Sequence, residues 1–141
     1  MFRKLFIVLI IIISFTIYGC ARYDVNIPDT VDNRNGFEDH LKIKPDETIS
    51  QVYYYADELG SDVRYQLSFK CNKETIKKII SKLSLTSGDY SGLAPRDDLT
   101  WWKPDSTKER THWVKKINDK YYKELWYSEK DRTAFYHEYS M

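Results

Sequence analysis

The sequence predicts an α+β fold: an antiparallel sheet of about five strands with one helix packed on one face, in the order ββαβββ. Three observations carry that expectation. The run "DVRYQLSFKC" (62–71) alternates without fault, with Val63, Tyr65, Leu67, Phe69 and Cys71 on one side and Arg64, Gln66, Ser68 and Lys70 on the other. The next residues change period, because Ile76, Ile79, Ile80 and Leu83 fall at i, i+3, i+4 and i+7 and form one apolar helical stripe. Strands precede that helix and follow it as groups, which is the α+β pattern.

Each element has its own warrant. "ISQVYYYADE" (49–58) is a β-rich run closed by Leu59-Gly60-Ser61, a hairpin turn. Asn72 can cap the helix, and Glu74 sits in its first turn near the positive end of the dipole. Lys73, Lys77, Lys78 and Lys82 read as its solvated face. Thr86 to Arg110 is a long connection rich in Gly, Pro and Asp, and long loops in small domains are often functional. Three short strands close the chain, "THWVKKI", "KYYKELWY" and "TAFYHEY", joined at Asn118-Asp119 and around Ser128 to Arg132.

The N-terminus carries a different message. The apolar run Leu5 to Tyr18 is 14 residues long, roughly 21 Å as a helix, against about 30 Å of hydrocarbon. Arg3 and Lys4 precede it, and small Gly19 and then Cys20 follow. That is the layout of a secretory signal peptide rather than of a membrane span. Ile17-Tyr18-Gly19-Cys20 resembles the bacterial lipobox, in which a lipid is attached to the cysteine and the chain is cut just before it. The resemblance covers the first twenty residues, and Tyr18 is bulkier than the usual occupant. It implies a lipoprotein acylated at Cys20, anchored in the cell membrane or outer membrane and facing the periplasm or exterior. Because Ala21 is not the aspartate associated with inner-membrane retention, it also implies the outer membrane where the cell has one.

The expected organisation is therefore a signal peptide (1–19), a lipidated Cys20 with a flexible tether (20–45), in which "FEDHLKI" (37–43) can form a short helical turn that docks on the domain, and a single α+β domain (46–141). Without residues 1–19 the chain has 20 basic and 21 acidic side chains, and a near-neutral domain without a strong basic stripe is a poor nucleic-acid candidate. His40, His112 and His137 lie in no metal-ligand spacing, and Cys71 falls on the buried strand face, so neither a metal nor a cofactor is expected. There is no G-x-S-x-G elbow, no phosphate-cradling glycine loop and no acid pair in a recognisable catalytic setting.

Aromatic residues make up 16% of the chain, more than one sheet face needs. With one face on the helix, the other is expected to present rings, and Tyr53, Tyr55, Tyr122 and Trp126 are the candidate partner-binding residues there, with Trp101 and Trp102 at the end of the long loop. One tryptophan of that pair is expected to enter the core and the other to remain a contact. The same rings would serve equally as cross-strand pairs that only stabilise the sheet. The functional expectation is a lipid-anchored envelope module that binds or inhibits a protein, immunity-like or accessory. The alternative is a small envelope hydrolase of wall or carbohydrate.

Overall fold

The computed structural model describes residues 25–89 and 92–140, so the signal segment and Cys20 lie outside the described residues. The described part is α+β. Its elements in chain order are α1 (Val31–Leu41), β1 (Ser50–Leu59), β2 (Asp62–Lys70), α2 (Lys73–Leu83), β3 (Thr86–Ser87), a 3-10 turn (Pro104–Thr107), β4 (Thr111–Asn118), β5 (Tyr121–Ser128) and β6 (Thr133–Ser140). All six strands join one antiparallel sheet in the order β1-β2-β6-β5-β4-β3. The last strand closes against the second, so β6 is central and buries every residue from Ala134 to Tyr139.

Local chemistry sets the element ends. Gly60, at φ 65, supplies the positive dihedral of the β1–β2 turn. β1 begins with a bulge in which Gln51 is at φ 52. The Asp29 carboxylate accepts from the Gln51 and Val52 N–H groups at 2.8 and 3.2 Å and thereby holds that irregular turn. Asn72 caps α2 by accepting from the Thr75 N–H at 2.9 Å, and Ser84 ends the helix in the left-handed region at φ 54. Ile76, Ile79 and Leu83 are buried on the sheet, with Ile80 beside them.

The structure corrects the expected layout in three places. A sixth strand exists because the chain leaving α2 runs along the outer edge of β4 for two residues, Thr86 opposite Val114 and Ser87 opposite Trp113. A second helix, α1, lies inside the stretch assigned to the tether. Its sequence VDNRNGFEDHL is too polar to show an apolar stripe, so its place rests on a few contacts. Thr30 caps it through the Asn33 N–H, Phe37 meets the ring of Phe69 edge-on at 4.9 Å, and the Asn33 amide donates to the carbonyls of Ile27 and Val52, both at 2.8 Å.

The third correction concerns the second face of the sheet, which is not open. Gln66 and Ser68, on the side expected to face water, are 0% and 6% exposed. The helix face holds the apolar core of Val52, Leu67, Phe69, Cys71, Leu125 and Tyr136 beneath both helices. Leu99 and Trp102 of the long loop pack on Tyr55 and Phe135 across the opposite face. Both faces of the sheet are therefore core.

Candidate functional site

The six rings singled out in the sequence do gather on one face, but the loop divides them. Trp102 is 2% exposed and meets Phe135 edge-on at 5.1 Å and Trp126 at 6.0 Å. Tyr55 is buried under the loop, and Tyr122 is buried and stacked on Tyr139 at 5.3 Å. A buried ring cannot meet a partner in this conformation. Tyr53, Trp101 and Trp126 keep part of their surface. Tyr53 and Trp101 stack on each other at 5.6 Å, and Trp126 stacks on His112 at 4.6 Å.

Named polar side chains fasten the loop. The Gln66 amide accepts from the Arg96 N–H at 2.8 Å and donates to the Arg96 carbonyl at 3.1 Å. The Arg96 guanidinium donates to the Tyr55 hydroxyl at 2.7 Å and grips Asp98 with two N–H groups. At the other end, Arg110 donates to both oxygens of Asp131, at 3.2 and 2.9 Å, and to the Thr133 carbonyl at 2.9 Å, while lying over the Phe135 ring. Burial pushes the Asp131 carboxyl up, but hydrogen bonds from Arg110, the Thr133 N–H and Ser128, with the Arg110 charge, together hold it down at about 2.

Two ionisable clusters lie back to back across the sheet, set by neighbouring residues of β6. Glu138 points to the helix side. His40 of α1 meets it at 2.9 Å, Tyr136 donates to it at 2.7 Å, Tyr121 donates to it, and the Lys123 ammonium lies at 3.2 Å. Burial pushes this carboxyl up, but the three hydrogen bonds and the ammonium together hold it down at about 2. Burial and the same carboxylate push both phenols up, so Tyr121 and Tyr136 stay protonated and donate. The other ring nitrogen of His40 meets the Tyr54 hydroxyl at 3.1 Å, and its ring lies on Tyr65 at 4.0 Å. The network docks α1 on the sheet with an ionised carboxylate at its centre.

His137 points to the loop side and is 0% exposed. Glu124 lies 3.6 Å from its Nδ1 and 3.4 Å from the Nε2 of His112, whose Nδ1 is 3.6 Å from exposed Asp89. These contacts are longer than good hydrogen bonds, and both nitrogens of His137, Nε2 of His112 and Oε1 of Glu124 are buried without a hydrogen-bond partner. Burial pushes His137 below its usual value and outweighs the carboxylate beside it. Glu124 is pushed up by burial but pulled further down by the two imidazoles, so the cluster holds an ionised carboxylate next to a neutral His137. Trp102 and Tyr139 enclose His137, at 6.2 and 4.4 Å between ring centres.

Sequence reading missed Glu124 and Glu138 and treated the histidines as isolated. The available signal was "YHEY", two ionisable residues inside the aromatic alternation of a closing strand. Among the described residues no group of three His, Cys, Asp or Glu side chains is arranged to hold a metal ion, and no helix is long and apolar enough to cross a membrane. No family model, no curated protein and no solved structure matches the chain.

Proposed function

We propose that this protein is a lipid-anchored component of the bacterial cell envelope, acylated at Cys20, whose folded domain works by binding or inhibiting another envelope protein. The observation that carries the reading is the succession of Arg3-Lys4, the short apolar run and Ile17-Tyr18-Gly19-Cys20. A multiply acylated cysteine is a lasting anchor, since each buried methylene contributes about 0.8 kcal/mol. The way the ionisable groups are used supports binding over catalysis. Glu138 is committed to four internal partners, and His137 is buried beside Trp102 with Glu124 next to it. Of the six rings, Tyr53, Trp101 and Trp126 are the contacts this reading retains.

Metabolic labelling with a fatty acid tests the anchor: label is expected on the native chain and absent from Cys20→Ala, which should accumulate as uncleaved precursor. Label retained by Cys20→Ala would end the lipoprotein reading. Co-purification from detergent-solubilised membranes tests the binding role, with a stoichiometric protein partner as the expected result. Its absence, together with turnover of wall or carbohydrate substrates by the purified domain, would favour the hydrolase.

A further inference from the structure

The folded body begins almost at the anchor. Trp101 Nε1 donates to the Val25 carbonyl at 2.7 Å, and the Thr100 hydroxyl donates to Asn26 at 2.6 Å. The Asp29 N–H then pairs with the Val52 carbonyl at 2.8 Å, so the chain is fastened to loop and sheet from Val25 onward. Four residues separate Cys20 from Val25. Five peptide steps reach at most about 18 Å, of which the headgroup layer takes roughly 5–7 Å. A domain of this size is roughly 35 Å across, so a lipid on Cys20 fixes which side of it meets the membrane.

That side carries the right chemistry. Ile27 is 51% and Val31 76% exposed, two of the most exposed large apolar side chains described. Ile27 lies against the first turn of α1, because its carbonyl accepts from Asn33. Next to Val25 is the half-exposed Tyr53–Trp101 stack. Tryptophan and tyrosine with exposed aliphatics is the composition of a membrane-interface surface. Charge narrows the lipid: Asp29 pairs with Arg34 at 3.4 Å and Asp32 is exposed, so these residues bring no positive excess for anionic headgroups.

We infer that the outer edge of β1, with Ile27 and Val31 toward α1 and the Tyr53–Trp101 stack on the loop face, rests on the headgroup region of the bilayer, with zwitterionic lipid as its partner. The inference builds on acylation at Cys20. It reassigns Tyr53 and Trp101 from a protein partner to lipid and leaves Trp126 as the ring available to a protein. The tip of the β1–β2 hairpin, with Leu59 at 80% exposure, stands roughly 20 Å along the strand from Tyr53 and points the domain into the envelope space.

The test uses the acylated full-length chain in phosphatidylcholine vesicles, with and without phosphatidylcholine brominated near the carbonyl end of its acyl chains. Flotation of the vesicles and fatty-acid label report the anchor, and bromine quenching of tryptophan emission reports apposition. The expected result is partial quenching of the four tryptophans that Trp101→Phe largely abolishes and that 0.5 M salt leaves in place. Ile27→Asp with Val31→Asp, at exposed positions, should reduce the quenching without lowering the melting temperature. A chain that carries no lipid on Cys20 overturns the anchor and this inference together. One that is labelled and floats, yet emits equally with and without bromine, overturns the apposition alone.

Discussion

The two faces of the sheet each bury one carboxylate, and they treat it in opposite ways. Glu138 on the helix side has hydrogen bonds from His40, Tyr121 and Tyr136 and an ammonium at 3.2 Å. Glu124 on the loop side has two imidazoles at 3.4 and 3.6 Å and an oxygen with no hydrogen-bond partner. The difference follows from what covers each face. Regular elements in fixed register cover the helix side, where Lys123 sits directly opposite Glu138 and His40 arrives from a capped helix. An irregular loop covers the other side, held at Arg96 and at its Arg110 end, and it brings rings rather than polar partners to the middle. A strand presents successive residues to opposite faces, so His137 and Glu138 report on the two environments from neighbouring positions.

Breaking the satisfied cluster should have the largest effect. Glu138→Ala leaves the largely covered Lys123 ammonium without its partner and strands two phenols and an imidazole, and removing one member of a buried charge pair costs about 3–5 kcal/mol. Urea denaturation should show that loss, with α1 released first. The acid limb adds a sign. The folded carboxyl sits at about 2 against an ordinary 4.5, so its contribution is complete above pH 4.5 and is lost as the pH falls from there toward 2. Glu138→Gln should flatten that limb in part, because Asp131 acts in the same sense.

Opening the loop side should come second. Trp102→Ala removes the ring that seals Phe135, Trp126 and His137, at a cost of about 3 kcal/mol. Near-ultraviolet circular dichroism should lose intensity in the native state, while the far-ultraviolet signal of the sheet persists. An unchanged near-ultraviolet spectrum would mean that the loop does not depend on its tryptophan.

How much of this was legible depended on period. The Val63–Cys71 alternation and the Ile76–Leu83 stripe each repeat often enough to be read, and both lie where that reading puts them, with Cys71 buried and its thiol pushed by burial up to about 12. α1 was legible only as the docking helical turn at 37–43 and not as a helix from Val31, because a helix held by Phe37, Leu41, Asn33 and a close approach at Gly36 leaves no apolar stripe. The covering of the second face was hidden for a related reason. A loop has no period, so nothing in "TWWKP" says that Trp102 turns in over Phe135 while Trp101 reaches back to Val25. The Glu138 network was hidden because its members come from residues 40 to 138 and meet only through strand order.

The α1 contact offers an intermediate test. A Cβ on Gly36 would lie 2.7 Å from three atoms of the Tyr54 ring, and that ring is held by His40. Gly36→Ala gains up to about 1 kcal/mol of helix propensity, but overpacking of this kind costs about 1–3 kcal/mol. The melting temperature should therefore fall, by less than for Trp102→Ala. A rise would show that α1 can lift away from the sheet without penalty.

The smallest expected change is the one that separates the faces most sharply. His137 is buried with neither nitrogen hydrogen-bonded, and an unmet buried polar group costs about 1–3 kcal/mol. Leucine at this position removes that cost, loses some ring packing against Tyr139 and leaves Glu124 with His112. At neutral pH these effects should nearly cancel, so His137→Leu is expected to stay within about 1 kcal/mol of the native chain. Acid then adds a difference. Because the folded imidazole is pushed below its ordinary 6.5, the unfolded chain takes up the proton first, and the native protein loses stability as the pH drops below 6.5. His137→Leu cannot take up that proton, so its unfolding free energy should overtake that of the native chain on going from pH 7 to pH 5. Urea titrations at the two values decide it. A variant weakened by more than about 2 kcal/mol at pH 7 would mean that the imidazole has a partner in solution, and the loop side would then be as well satisfied as the helix side.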